Sequence, residues 1–332
     1  MSNLKDKQYM LVSAIGIFVC YFYFGIMQEK ITRGRYGTEE NEDGTIGDRF
    51  TYTLALVAVQ CMFNYLFVKA ILIVKPQQKD TTHTGYYASS ALTYLLAMVS
   101  SNMALRWINY PTQVVAKAAK PIPVMILGVL IGRKSYSLRK YLFVLIIVIG
   151  VVLFMYKEGK VNKNSENAGL GEILLFLSLL MDGLTGAIQE RMRASSRPSA
   201  QHMMLSMNSW SSVMLGAALL VTGEGKEFFV FALKHPELFT HLILISIASA
   251  FGQLFIFMMV AGFGPLPCSI VTTTRKFFTV LFSVLFFGNV LIGRQWFGAI
   301  LVFVGLFADM FYGKKEVNSK KPENKKLIES EK

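Results

Sequence analysis

Five cationic residues stand inside long apolar runs of this sequence, and four of them, Lys117, Lys120, Arg275 and Lys276, cannot easily reach an interface. A basic side chain near the centre of a bilayer costs on the order of 3 kcal/mol on insertion scales, so four together burden a fold by roughly 10 kcal/mol unless water or an anion compensates. Arginine forks and lysine point charges are natural ligands for phosphate oxygens, and three or four of them match a di- or triphosphate better than a single carboxylate. The chemistry these residues offer is therefore non-covalent capture of a polyanion, and the expected solute is a nucleotide or a nucleotide conjugate.

Spacing sharpens that reading. Gln113, Lys117 and Lys120 are four and three residues apart and share one helix face. Thr272, Arg275 and Thr279 repeat the pattern with the steps reversed, while Lys276 points about 100 degrees around the helix. Lys117, Lys120, Arg275 and Lys276 are the expected phosphate ligands, with Gln113, Thr272 and Thr279 in support. Pro121 and Pro123 follow at once and remove the donors that would have bonded the carbonyls of Lys117 and Ala119, which predicts a kink beside the cations. The competing explanation is pairing with buried acids. Glu29, Glu172, Asp182, Glu190 and Asp309 lie in or at the edges of the apolar runs, and none is expected to lie as deep as Lys120. Glu29 can serve one cation but cannot neutralise four. Glu29 and Glu190, each at the end of a run, are instead expected to take part in gating by pairing with basic residues of the cage or loops.

The elements that must position these groups follow from composition. Of 332 residues 53% are apolar and 17% charged, the formal charge is +13, and mean hydropathy is positive, which excludes an ordinary water-soluble domain. Nucleic-acid binding would need basic residues grouped on a soluble face, which runs of this kind leave little room for. Cys20, Cys61 and Cys268 all fall within apolar runs, so neither a disulfide framework nor a metal site is expected, and no cofactor is called for. Gly223-Glu-Gly-Lys226 is too short for a phosphate-binding loop, and no base, nucleophile or metal pair marks an enzyme.

A hydrocarbon core of roughly 30 Å needs about 20 apolar residues per helix, and that ruler finds ten spans: 9–28, 50–74, 84–107, 112–132, 139–156, 170–190, 202–222, 239–262, 266–288 and 293–312. Lys69, about a turn from the end of the second span, can reach the interface along its own stem. With the N-terminus in the cytosol, 18 Lys and Arg face the cytosol against 11 opposite, so both termini are expected there. The lysine-rich segment 313–332 reads as a disordered cytosolic tail.

The second half echoes the first. A shift of 155 residues places Lys120 on Arg275, Arg139 on Arg294, Tyr141 on Trp296 and Gly150 on Gly305, and Gly25, Gln28, Glu29 and Lys30 find counterparts in Gly186, Gln189, Glu190 and Arg191. Five spans per half is an odd number, so residues 1–156 and 157–312 read as repeats of opposite orientation. That is the plan of secondary transporters, with the substrate near the midplane between repeats. Gly16, Gly150 and Gly305 read as points of close helix contact. The expected fold class is thus an all-α membrane protein of ten transmembrane helices in two inverted five-helix repeats.

The string Lys117-Ala-Ala-Lys120-Pro-Ile-Pro-Val-Met125, the string Arg275-Lys-Phe-Phe-Thr279 and the ten-span plan together resemble the nucleotide-sugar transporter branch of the drug/metabolite transporter superfamily. The likeness covers the chain up to the tail and extends to an ATP/ADP exchanger of the endoplasmic reticulum membrane. It implies obligate exchange by alternating access, with phosphates held at Lys117, Lys120 and Arg275, and it leaves UDP-sugars such as UDP-galactose as alternative cargo. A dilysine retrieval signal would need lysines three and four places from the C-terminus, where Ser330 and Glu329 stand, so a location in the endoplasmic reticulum rests on the likeness. Oligomeric state is not legible.

Overall fold

The computed structural model describes residues 2–40, 46–104, 107, 113, 116–155, 169–286 and 292–312. Among them are eleven helices and one β-hairpin: α1 Ser2–Arg33, β1 Arg35–Glu40, β2 Ile46–Arg49, α2 Thr53–Val74, α3 Thr84–Ala104, α4 Pro121–Leu130, α5 Leu138–Met155, α6 Leu170–Ser195, α7 Ala200–Thr222, α8 Glu224–Lys234, α9 Glu237–Phe263, α10 Pro265–Phe286 and α11 Gly293–Tyr312. Each of the ten spans expected from hydropathy overlaps a helix, the fourth only in part, since α4 covers its second half. Five helices among the described residues, Asp6–Thr32 within α1 together with α2, α6, α7 and α9, are long and apolar enough to cross a membrane.

These helices leave many large apolar side chains exposed while burying several polar ones. Leu11, Val19 and Phe22 on α1, Leu66 and Ile73 on α2, Phe176 on α6 and Leu220 on α7 are exposed, whereas Ser13, Asn64, Ser178, Asn208 and Ser249 are buried. Apolar groups gain nothing from burial when the surrounding medium is itself apolar, but backbone and side-chain polar groups must then find partners within the protein. The helices satisfy the first demand and interhelical amide contacts the second.

The chain forms two compact units, one from Met1–Leu96 and Ile188–Cys268, the other from Ala97–Ala187 and Ser269–Lys332, so each draws on both halves of the sequence. In the first unit α1 packs on α9, α2 on α7 and α9, and α7 on α9. Asn64 donates from Nδ2 to Ser249 Oγ and Gln253 Oε1, both at 3.2 Å, and Asn208 donates to the same Gln253 oxygen at 2.6 Å, which ties α2, α7 and α9 together. One end of this unit carries a core of Ile31, Tyr36, Phe50, Leu56, Phe231, Leu238, Leu242 and Ile245. The hairpin supplies Tyr36 and α8 supplies Phe231. Neither was legible as an element, because one falls in an acidic loop and the other in the gap between two spans. Gly223, whose φ of +74° ends α7, begins α8 and forms no phosphate loop.

Asp48 on β2 fixes the hairpin to α8, accepting from Lys234 Nζ and His235 Nε2 at 3.1 Å each. The hydrogen bond from His235, then that from Lys234, holds its carboxyl below the usual carboxylate value. A group whose pKa is lowered by folding stabilises the fold above its unfolded pKa, near 3.9, and that contribution fades as pH falls through the lower folded value.

In the second unit α5 lies along α11 and contacts α4. Small residues set the distance between α5 and α11. A Cβ on Gly150 would stand 2.8 Å from Gly298 O and Val302 N, and one on Gly305 would stand 2.7 Å from Ile147 Cγ1. Gly16, in the first unit, has the ring of Phe255 against it in the same way. Close contact at Gly16, Gly150 and Gly305 is as the sequence indicated.

Two outcomes follow for stability in detergent. Gly150→Val should destabilise the protein by about 1–3 kcal/mol, read as a lower thermal-unfolding midpoint, because backbone atoms of α11 must yield. Asp48→Asn should lower the midpoint by a constant amount between pH 7 and about pH 5, and the gap to the unsubstituted protein should close below about pH 4.

Candidate functional site

The second unit carries the charged site. Its geometry begins with the two prolines, which deny the carbonyls of Lys117 and Ala119 their α-helical donors. Both carbonyls are satisfied by a tighter turn instead: Lys120 N donates to Lys117 O at 3.3 Å and Ile122 N to Ala119 O at 3.0 Å. Bonds from the residue three places on thus absorb the carbonyls that the prolines leave without an α-helical donor. α4 then starts with Pro121 in its first turn. Lys117 and Lys120, three residues apart, leave this turn on one side.

Opposite them is Asp182. Its Oδ2 accepts from Lys117 Nζ at 2.7 Å and its Oδ1 pairs with Lys120 Nζ at 2.9 Å, so one carboxylate spans both amines. The Asp182 side chain is 7% exposed, that of Lys117 15% and that of Lys120 34%. These two lysines and one aspartate, among the described residues, sum to one positive charge, and Lys120 is the more exposed of the lysines.

Asp182 was not expected in this role. It was counted among the acids in or at the edges of spans, none expected as deep as Lys120, yet it stands twelve residues into α6, about 18 Å along the axis, which is mid-helix. Its neighbours explain how it arrives there. A Cβ on Gly183 would lie 2.8 Å from the carbonyl carbon and oxygen of Pro123, so the glycine lets α6 approach the proline turn to backbone contact. Ser178, one turn earlier, donates to the carbonyl of Ala97 on α3. Ser178, Asp182 and Thr185 are spaced by four and three residues and buried, a polar stripe on α6 of the same kind as the one the sequence showed around Lys117. That spacing was the available signal.

Gln113 is buried and donates from Nε2 to Ser101 O at 2.6 Å and Ser101 Oγ at 2.9 Å, so its amide joins the lysine segment to α3. Thr272 and Arg275 lie half-buried on α10 in the same unit, and the Thr272 hydroxyl donates to Ser269 O at 3.1 Å within its own helix. The side chains of Lys276, Thr279 and Glu29 lie outside the described residues. Lys140 pairs with Asp309 at 2.5 Å. Lys69 is exposed, its Nζ 5.6 Å from the centroid of the Tyr65 ring, in keeping with a residue at the interface.

Glu190 belongs to the first unit. It is buried and pairs with Nη1 of Arg193 at 3.2 Å, and the same guanidinium donates to Ala261 O at 3.1 Å and Gly262 O at 3.2 Å. Arg193 thus satisfies carbonyls of the last turn of α9, which have no helical donor of their own. The sequence placed Arg193 in a loop, and the structure places it in α6, one turn beyond Glu190.

Helices long and apolar enough to cross a membrane mark a multi-pass membrane protein, and its second unit carries a buried site of two lysines and an aspartate. The model of the UAA transporter family matches residues 9–312, and the chain belongs to that family. It is 64% identical over 323 residues to the solute carrier family 35 member B1 homolog of Drosophila melanogaster, covering 96% of each chain. It is 52% identical to solute carrier family 35 member B1 of Xenopus tropicalis, over 94% of this chain and 95% of that one. With the protein of that name from Rattus norvegicus it shares 50% identity, over 94% and 96%. The protein is a transporter rather than an enzyme.

The approach of α6 to the lysine turn is testable through its glycine. Gly183→Val should lower the detergent unfolding midpoint by the equivalent of about 1–3 kcal/mol, because the obstacle is backbone. Gly216→Val, where an added Cβ meets nothing within 4 Å, should leave it near the original value.

Proposed function

We propose that the protein is a nucleotide antiporter of the endoplasmic reticulum membrane, exchanging cytosolic ATP for lumenal ADP by alternating access. The observation that carries this reading is the placement of Lys117 and Lys120 inside an apolar bundle with one shared carboxylate between them. Cation exceeds acid at that point, and phosphate oxygens are the ligands that lysines in such a setting favour. Arg275 and Lys276 complete the cage, with Gln113, Thr272 and Thr279 lending hydrogen bonds. In this reading ten helices form two inverted repeats, 1–156 and 157–312, followed by a lysine-rich tail at 313–332. Both termini face the cytosol, and Glu29 and Glu190 alternately close the two faces. Membership of the UAA transporter family and the likeness to solute carrier family 35 member B1 proteins support a carrier of nucleotides or their conjugates.

A second reading draws on the same carboxylate. Asp182 cancels one lysine charge, and the diphosphate of a nucleotide sugar bears fewer charges than ATP. Exchange of a UDP-hexose for a nucleoside monophosphate is therefore the alternative.

Counterflow separates the two. Proteoliposomes preloaded with ADP should take up labelled ATP, and uptake of labelled UDP-galactose with none of ATP would overturn the first reading. Lys120→Ala and Arg275→Ala should each lower uptake at least about tenfold, as expected for a lost charge-assisted bond of roughly 1.5–3 kcal/mol, while the protein remains folded. Full transport by both variants would remove the cage from the mechanism.

A further inference from the structure

Asp182 holds the lysines that a phosphate would need. Its two oxygens lie 2.7 Å from Lys117 Nζ and 2.9 Å from Lys120 Nζ, which uses both of its oxygens on the two amines. Gly183 and Ser178 fix the backbone that presents it, so the pairing is a designed approach of α6 to the proline turn rather than a surface encounter. We propose that Asp182 is an internal stand-in for the substrate's phosphate, which must displace it from Lys117 and Lys120 before transport can proceed. This rests on the phosphate-cage reading above and adds to it a competitor built into the chain.

The physical reason lies in the cost of leaving charge unpaired. Lys117 and Asp182 are both largely withdrawn from solvent, so an empty site with the lysines unmatched would be strongly disfavoured, and the carboxylate removes that penalty. A ligand gains only the difference between its own contacts and those of the carboxylate. A diphosphate carries oxygens on two phosphorus atoms and can engage both amines while it displaces Asp182. A monophosphate trades one small anion for another. Asp182 therefore acts as a positioning residue that favours di- and triphosphates over monophosphates. Its release from Lys117 and Lys120 also frees α6 from the proline turn only when cargo is present, which is what coupling of exchange to cargo demands.

The ion pair allows a direct test on the unsubstituted protein. A membrane-permeant carbodiimide activates the Asp182 carboxyl as an O-acylisourea, the neighbouring lysine amine attacks the acyl carbon, and a urea leaves, so that an amide forms with net loss of water from the protein. Mass spectrometry of the digested protein should find a peptide containing Lys117 or Lys120 joined to one containing Asp182. Saturating ADP or inorganic pyrophosphate should reduce that cross-link at least about fivefold, whereas inorganic phosphate should reduce it much less. Equal cross-linking with and without saturating ADP would overturn the proposal.

Substitution supplies a second readout. In counterflow, Asp182→Asn should improve inhibition by inorganic phosphate and nucleoside monophosphates roughly tenfold relative to inhibition by diphosphates, and Asp182→Glu, which returns the charge, should restore the discrimination. Unchanged discrimination in folded Asp182→Asn protein would also overturn it. If Lys120→Ala and Arg275→Ala transport normally, the phosphate-cage reading has failed. If they do not, and ADP leaves the cross-link intact, only the displacement of Asp182 has failed.

Discussion

The bridge from Lys117 through Asp182 to Lys120 is the interaction on which the rest of the second unit depends. Charge enclosed by apolar helices is tolerated only where it is matched, and each feature around the bridge serves that match. The prolines turn the chain so that two lysines leave on one side. Gly183 removes the side chain that would have held α6 away from Pro123. Ser178 bonds α6 to α3, and Gln113 bonds the lysine segment to the same helix at Ser101. These contacts hold the two lysines and the aspartate together within the second unit.

The first unit solves a different problem with uncharged groups. Asn64, Asn208, Gln253 and Ser249 join three helices through amide and hydroxyl contacts, which need no counter-ion and so cost less in an apolar setting. Among the described residues, the unit's ion pairs lie at helix ends and at the hairpin. Arg193 closes the last turn of α9 while holding Glu190, and Asp48 fastens the hairpin to α8. The same logic holds in both units: large apolar residues are exposed along the helices as well as packed inside, and buried polar groups are spent on contacts between helices.

Much of this was legible in the sequence. Apolar runs separated by basic and proline-containing loops gave the helices, because length and hydropathy are local properties. The lysine face around Lys117 and Lys120 followed from spacing of three and four residues, and the close approach at Gly150 followed from a small residue in a long apolar run. Asp182 was visible as an acid in a span but was read as too shallow, although the expected span 170–190 already puts it eight residues from the nearer end, as deep as Lys120 in 112–132. Its match to the lysines depends on a contact between segments 65 residues apart, which no local pattern encodes. The amide cluster was illegible for a related reason: its members lie on three helices and carry no charge to mark them. The hairpin and α8 were hidden by the acidic composition of one and by the position of the other between two spans.

The most direct test of the central claim is equilibrium binding to the purified transporter. Labelled ADP should bind the unsubstituted protein, inorganic pyrophosphate should displace it, and the Lys117→Ala, Lys120→Ala double variant should lose binding by at least about a hundredfold while keeping its size-exclusion profile. Undiminished ADP binding by that double variant would contradict a phosphate site at these lysines.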